Sequence, residues 1–261
     1  MNVFYYGELG YLNFNVLGSL EKYFIKNPRT KFNILTYEDY FKILDLAFPN
    51  RFTKSLSVLK INPREIPEES RKYHDLEHAG FQRDLREKGY SCLSKELGCY
   101  TTDWREGRQL IANMSEPLST GEKSEKKFIN MLCRNRKLDS ERNLDKLSWL
   151  KVIDKIKSVK DFENKRIIFH GLKSEVLEMN IKNSEFCTDI IKSIFYLNHS
   201  ALFVTSYSGF TQLASNCGSD VMCIGPEYQM IPFNPFGKKN IQVEKDNIKY
   251  IDVILEANLK I

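Results

Sequence analysis

The sequence predicts an α/β protein made of two Rossmann-like domains facing a central cleft, and three observations carry that prediction. Short apolar runs rich in Val, Ile and Phe alternate with stretches of helical spacing, the pattern of parallel sheets covered by helices. A length of 261 residues suits two domains of about 120 to 130 residues each. Glu8, Arg134, His170 and Ser208 lie at or just beyond the ends of apolar runs, where ligands of open α/β sheets bind. Hydrophobic residues at 42% and aromatics at 12% supply two cores and exclude global disorder.

The elements come in this order. Val3-Phe-Tyr-Tyr6 reads as a short buried strand, followed at once by Gly7-Glu-Leu-Gly10. Leu12, Val16, Leu17, Leu20 and Phe24 share helical spacing over 11–25, and Asn27-Pro28 ends that helix. A strand over 32–36, a helix over 40–48 and a strand over 57–61 come next. Residues 63–120, with Pro63, Pro67 and a polar run, read as an irregular insertion carrying a helix near Phe81 to Lys88. Met114-Ser-Glu-Pro-Leu-Ser-Thr-Gly-Glu122 has the composition of a connection. It predicts domains over 1–120 and 121–261. Beyond it the alternation is clearer: strand 128–133, helix 143–157, strand 166–170, helix 188–197, strand 201–205, a short helix from Ser208, strand 221–224, and a last helix over 251–258.

Charge and cysteine content narrow the function classes. The balance of 39 Lys+Arg against 34 Asp+Glu leaves +5, which suits an anionic ligand. It lacks the concentrated basic stripe of a nucleic-acid binder. Lys123, Lys126, Lys127 and Lys137 are interleaved with Glu122, Glu125, Asp139 and Glu141, as on a solvated face of mixed charge. Cys92, Cys99, Cys133, Cys187, Cys217 and Cys223 form no C-x-x-C pair, so a reducing, cytoplasmic compartment without disulfides is expected. No metal site is expected either: His74 and His78 lie four apart without a third ligand at suitable spacing. No run reaches the ~20 apolar residues of a spanning helix, and the start lacks the features of a signal peptide. D-x-D, G-x-S-x-G, P-loop and G-x-G-x-x-G motifs are absent from the sequence.

The chemistry concentrates at strand ends. Ser206-Tyr-Ser-Gly-Phe-Thr-Gln-Leu-Ala-Ser-Asn-Cys-Gly218 lies between two strands and reads as a turn opening a helix. Ser208, Gly209, Phe210 and Thr211 would offer backbone N–H groups and hydroxyls to a diphosphate, while Ser208 also fits an ordinary N-cap. Arg134 and Arg136 leave the 128–133 strand on alternate positions, and a guanidinium fork suits a diphosphate. Arg142-Asn143 is a further phosphate candidate, although Asn143 reads better as a cap for the helix at Leu144. His170, Gly171 and Leu172 end a strand where a nucleoside would sit, although a lone His there also fits a structural role. Glu185 is a candidate for ribose hydroxyls. Glu8 is a candidate base, with a favourable place at the positive end of the following helix as the alternative.

Three pieces of the chain resemble a glycosyltransferase of the GT-B fold: the first strand with Gly7-Glu-Leu-Gly10, Cys133-Arg-Asn-Arg-Lys-Leu-Asp-Ser-Glu-Arg-Asn143 with the helix around Trp149, and Ser208-Gly-Phe-Thr-Gln-Leu-Ala214 with Gly218 and Ile224-Gly-Pro226. The second is similar to an Arg-x-Arg…Arg-Asn pattern of small glycosyltransferases encoded by large DNA viruses and some bacteria, among them chlorella-virus enzymes of capsid glycans that include a xylosyltransferase. The likeness covers most of 122–226 and about a dozen residues of the first half. It implies a UDP-sugar donor, UDP-xylose among the options, a glycan or glycoprotein acceptor, and no cofactor or metal. It also implies Glu8 as the base of an inverting transfer. The Glu-x7-Glu pattern of many retaining enzymes is missing around 218–230, where only Glu227 occurs. A nucleotide-sugar epimerase and a non-catalytic nucleotide- or glycan-binding module are the rival readings.

Overall fold

The computed structural model describes residues 1–6, 12, 16–55, 85–99, 114–121, 125–136, 140–171, 176–225, 236 and 239–259. The chain divides into two units, Met1–Glu116 and Pro117–Ile261.

In the first unit, β1 (Asn2–Tyr5), β2 (Phe32–Thr36), β3 (Phe52–Lys54) and β4 (Ser91–Cys92) form a parallel sheet in the order β3-β2-β1-β4. Helix α1 (Leu17–Lys26) buries Leu17, Gly18, Leu20 and Phe24, one stripe at three- and four-residue spacing. Its Phe24 ring meets Phe32 at 5.7 Å and Phe48 at 5.3 Å, with Phe52 completing an aromatic core. Helix α2 (Glu38–Ala47) comes after β2, and the short α3 (Leu93–Glu96) after β4. The third strand runs at Phe52–Lys54. The expected strand over 57–61, most of the 63–120 insertion, and Glu8 with its loop lie outside the described residues.

The second unit carries β5 (Phe128–Leu132), α4 (Lys146–Ser158), β6 (Arg166–His170), β7 (Ser184–Cys187), α5 (Ile190–Asn198), β8 (Ser200–Thr205), α6 (Gly209–Asn216), β9 (Val221–Ile224), β10 (Asn240–Val243) and α7 (Ile251–Leu259). The strands form a six-stranded sheet in the order β10-β9-β8-β5-β6-β7, every pairing parallel. Counted within the unit this is the doubly wound 3-2-1-4-5-6 order, whose topological switch lies between β5 and β8. All six residues of β8 are buried, as expected of a central strand covered on both faces. Trp149, Val152, Ile153 and Ile156 of α4 join Ile129, Met131, Ile167, Leu202, Val204 and Met222 in one core.

α4 begins later than the sequence suggests. Its N-cap is Asp145, whose carboxylate accepts from the Ser148 amide at 2.8 Å and from the Ser148 hydroxyl at 2.9 Å. Asn143 is therefore not the cap.

His170, expected to touch a nucleoside, is a core residue. It is wholly buried, and both ring nitrogens are engaged: Nε2 with Asn130 Oδ1 at 2.8 Å and Nδ1 with Ser193 Oγ at 3.0 Å. Asn130 Nδ2 donates to Tyr196 O at 3.0 Å, so its Oδ1 is the acceptor. Nε2 then carries the proton, and Nδ1 accepts from Ser193. This satisfied network joins β5, β6 and α5 inside the core. Burial pushes the imidazole pKa down to about 3, against a small opposing pull from Glu185. The neighbouring Gly171 is held by shape: its φ is +116°, and an added Cβ would stand 2.8 Å from Val176 Cγ1.

This corner of the core makes two outcomes testable. The unfolded His170 takes up a proton near its ordinary pH 6.5, whereas the native one resists until about pH 3. Its contribution to stability is thus complete above pH 6.5 and declines as pH falls. Between pH 6 and 4, urea unfolding should show the wild type losing about 1.4 kcal/mol per pH unit more than His170→Gln. Equal slopes would contradict the buried neutral ring. Gly171→Ala should lower stability by roughly 1–3 kcal/mol through backbone strain and the Val176 clash, read as a lower denaturation midpoint; an unchanged midpoint would show that the turn relaxes freely.

Candidate functional site

The doubly wound order directs attention to the β5–β8 switch, where two adjacent strands send their connections to opposite sides of the sheet. Leu132 at the end of β5 is level with Thr205 at the end of β8. The segments that leave these two residues begin side by side at the carboxyl edge: 133–136 from β5, and Ser206-Tyr207-Ser208 from β8.

The β8 side ends in the tip of α6. Ser208 is the N-cap, in extended conformation. Its amide donates to Thr211 Oγ1 at 3.1 Å, and the Thr211 amide returns to Ser208 O at 2.9 Å. The Gly209 and Phe210 amides, at the first two helical positions, have no acceptor within the helix. They carry the positive end of the helix dipole. The Phe210 ring leans on His170, centroids 6.0 Å apart, so any part that Phe210 plays at an anion falls to its backbone. Ser206, wholly buried, has an Oγ with no hydrogen-bond partner among the described residues.

The β5 side supplies guanidinium groups, though not in the expected way. Arg134 is only 2% exposed. Its backbone bridges antiparallel to Val176, Leu177 N donates to Cys133 O at 2.8 Å, and Arg134 Nη1 donates to Asn143 Oδ1 at 2.6 Å. The expected phosphate contact is corrected accordingly: Arg134 is an interior support under the loop. Arg136 is half-buried, with its amide donating to Asn143 Oδ1 at 3.2 Å and its carbonyl accepting from Asn143 Nδ2 at 2.7 Å. Arg142, in the 3-10 turn Ser140–Arg142, places its guanidinium 5.6 Å from the centre of the Tyr207 ring, a cation–π distance. Gln212 Nε2 donates to the Tyr207 hydroxyl at 2.7 Å and steadies that ring. Lys245 Nζ donates to Glu141 O at 2.6 Å and Asn143 O at 3.1 Å.

The structure thus brings Arg142, Tyr207 and Ser208 together at the head of α6, with Arg136 tied to the same loop. Sequence reasoning undervalued Arg142 and passed over Tyr207. The Arg-Asn pair at 142–143 and the position of Tyr207 inside the Ser206–Gly218 stretch were the available signals.

Glu185 does not reach this edge. It lies on the outermost strand β7, level with Ile168 rather than with the end of β6. Its carboxylate accepts from Lys192 Nζ at 2.5 Å, Tyr196 OH at 2.8 Å and Arg166 Nη2 at 2.9 Å. The Lys192 and Tyr196 hydrogen bonds hold its pKa below the ordinary glutamate value. That engagement corrects the ribose assignment. Leu172 lies outside the described residues. Among the described residues no group of three or more His, Cys, Asp or Glu could hold a metal ion, and no helix is long and apolar enough to cross a membrane.

No protein-family model and no curated protein matches the chain. Solved structures do resemble it. E. coli ADP-heptose LPS heptosyltransferase II matches with a TM-score of 0.59 at 11% identity, over 98% of this chain and 96% of that one. E. coli heptosyltransferase WaaC, solved with ADP-2-deoxy-2-fluoro heptose, matches with a TM-score of 0.55 at 12% identity, over 97% of this chain and 98% of that one. The iron-containing dodecameric glycosyltransferase TibC of enterotoxigenic E. coli matches with a TM-score of 0.50 at 15% identity, over 93% of this chain and 61% of that one. At these identities the likeness is one of architecture. This chain has the α/β fold of GT-B proteins, two Rossmann-like units each built on a parallel sheet.

Proposed function

We propose that this protein transfers a sugar from a nucleoside-diphosphate donor to a hydroxyl of a glycan or glycoprotein acceptor. The observation that carries the reading is the Arg142 guanidinium over the ring of Tyr207, the residue before the α6 N-cap, at the switch point of a doubly wound sheet. Support comes from the architectural neighbours, one of them solved with an ADP-heptose analogue and another named an ADP-heptose transferase. Those neighbours point to ADP, whereas the sequence resemblance points to UDP and to sugars such as xylose.

In this reading the acceptor oxygen attacks C1 of the donor sugar while the bond from C1 to the diphosphate oxygen breaks. The acceptor proton passes to the Glu8 carboxylate, and the departing electron pair settles on the diphosphate. The Gly209 and Phe210 amides and the arginines of the β5–α4 loop offset that growing charge, and the leaving group needs no metal ion. Attack opposite the leaving group inverts C1. Arg142 takes the place first assigned to Arg134, and Arg136 keeps the one first assigned to it.

A thermal-shift panel of ADP, UDP, GDP and CDP with their sugars should show one nucleotide series raising the unfolding temperature. No shift from any of them, with no transfer detected, would end the donor reading. Arg142→Ala should weaken binding of the active diphosphate about 10- to 100-fold, the loss typical of a hydrogen bond to a charged group. Glu8→Gln should lower transfer by ~10²- to 10⁴-fold while donor affinity stays near that of the wild type; comparable turnover would remove Glu8 from the base role. Transfer should survive EDTA. Product analysis separates the rivals: an epimerase converts donor without acceptor, and a binding module takes up donor without turnover.

A further inference from the structure

Asn143 makes more contacts within the candidate site than any cap role requires. Its Oδ1 accepts from Arg134 Nη1 at 2.6 Å and from the Arg136 amide at 3.2 Å. Its Nδ2 donates to Arg136 O at 2.7 Å, and its own carbonyl accepts from Lys245 at 3.1 Å. One amide side chain therefore grips both backbone groups of Arg136 while sitting directly after Arg142. Beneath it Arg134 is 2% exposed, a rigid donor rather than a mobile surface cation. The described ends of the β5–α4 connection are closed on each other, and the guanidinium of Arg142 is delivered over Tyr207 at the tip of α6.

We infer that Asn143 is a positioning residue that sets the affinity of this site for a diphosphate by fixing Arg142 in place before the ligand arrives. The inference rests on the donor reading above. The physical reason is preorganisation. A long arginine side chain loses rotamer freedom when it orders on a ligand, and a loop already closed by short hydrogen bonds has met much of that loss in the free protein. The Asn143 oxygen already accepts two bonds and its nitrogen donates to Arg136 O, so its effect is expected to pass through the arginines. The side chain of Asp at this position would keep both acceptor bonds and lose the donor to Arg136 O. Only the amide satisfies donor and acceptors together.

The test is a double-mutant cycle on binding of the diphosphate that shifts the wild type, with inorganic pyrophosphate as a second probe, both by calorimetry. Asn143→Ala should weaken binding at least tenfold. In an Arg136→Ala, Arg142→Ala background the same substitution should add less than threefold, because both guanidinium groups it positions are already gone. Circular dichroism and thermal melts of each variant report whether the fold persists, and Asn143→Ser serves the cycle if Asn143→Ala does not fold. Binding within twofold of wild type for Asn143→Ala, or equal losses in both backgrounds, would overturn the positioning role while leaving the donor reading intact. A wild type that binds neither probe would overturn the donor reading itself, and the inference with it.

Discussion

The parallel order of the second sheet is the constraint on which the candidate site depends. Because β5 and β8 are neighbours whose connections depart to opposite faces, the chain must open between them at the carboxyl edge. The tip of α6 and the Arg142 side chain of the β5–α4 loop come together there. In the first unit β1 likewise lies between β2 and β4. Anion recognition here would be a property of strand order first and of particular side chains second.

Burial decides which of the polar residues near that edge are available. His170 and Arg134 both end or succeed central strands, and both are drawn inside, the first by Asn130 and Ser193, the second by Asn143. A buried polar group without partners would cost on the order of 1–3 kcal/mol, so the fold surrounds each with acceptors or donors and thereby removes it from ligand chemistry. Arg142 and Tyr207 are only half-buried and face each other beside the tip of α6. The contrast between residues 134 and 142 is one of depth, which spacing along the chain does not encode.

Central strands were plain in the sequence. Phe32–Thr36, Arg166–His170 and Val221–Ile224 have the expected bounds, because a strand covered on both faces carries a nearly continuous apolar run. Edge strands were not. Ser184-Glu-Phe-Cys187 and Asn240-Ile-Gln-Val243 lie at the two ends of the sheet, where one side faces water and polar residues are admitted. They leave no apolar run to recognise, and Glu185 was consequently read as a ligand residue instead of the hub of an edge-strand ion cluster.

Sequence by itself determined the α/β class, the alternation of elements, and the Ser208 helix tip, because hydrophobic periodicity and cap chemistry act within a few neighbouring residues. Tertiary structure alone decided that Asn143 clasps Arg136 rather than capping α4, that Arg134 lies beneath the loop, and that Arg142 meets Tyr207. Those contacts join residues up to 65 positions apart through a pairing of β5 with β8. A local pattern carries no record of which distant strand will become its neighbour.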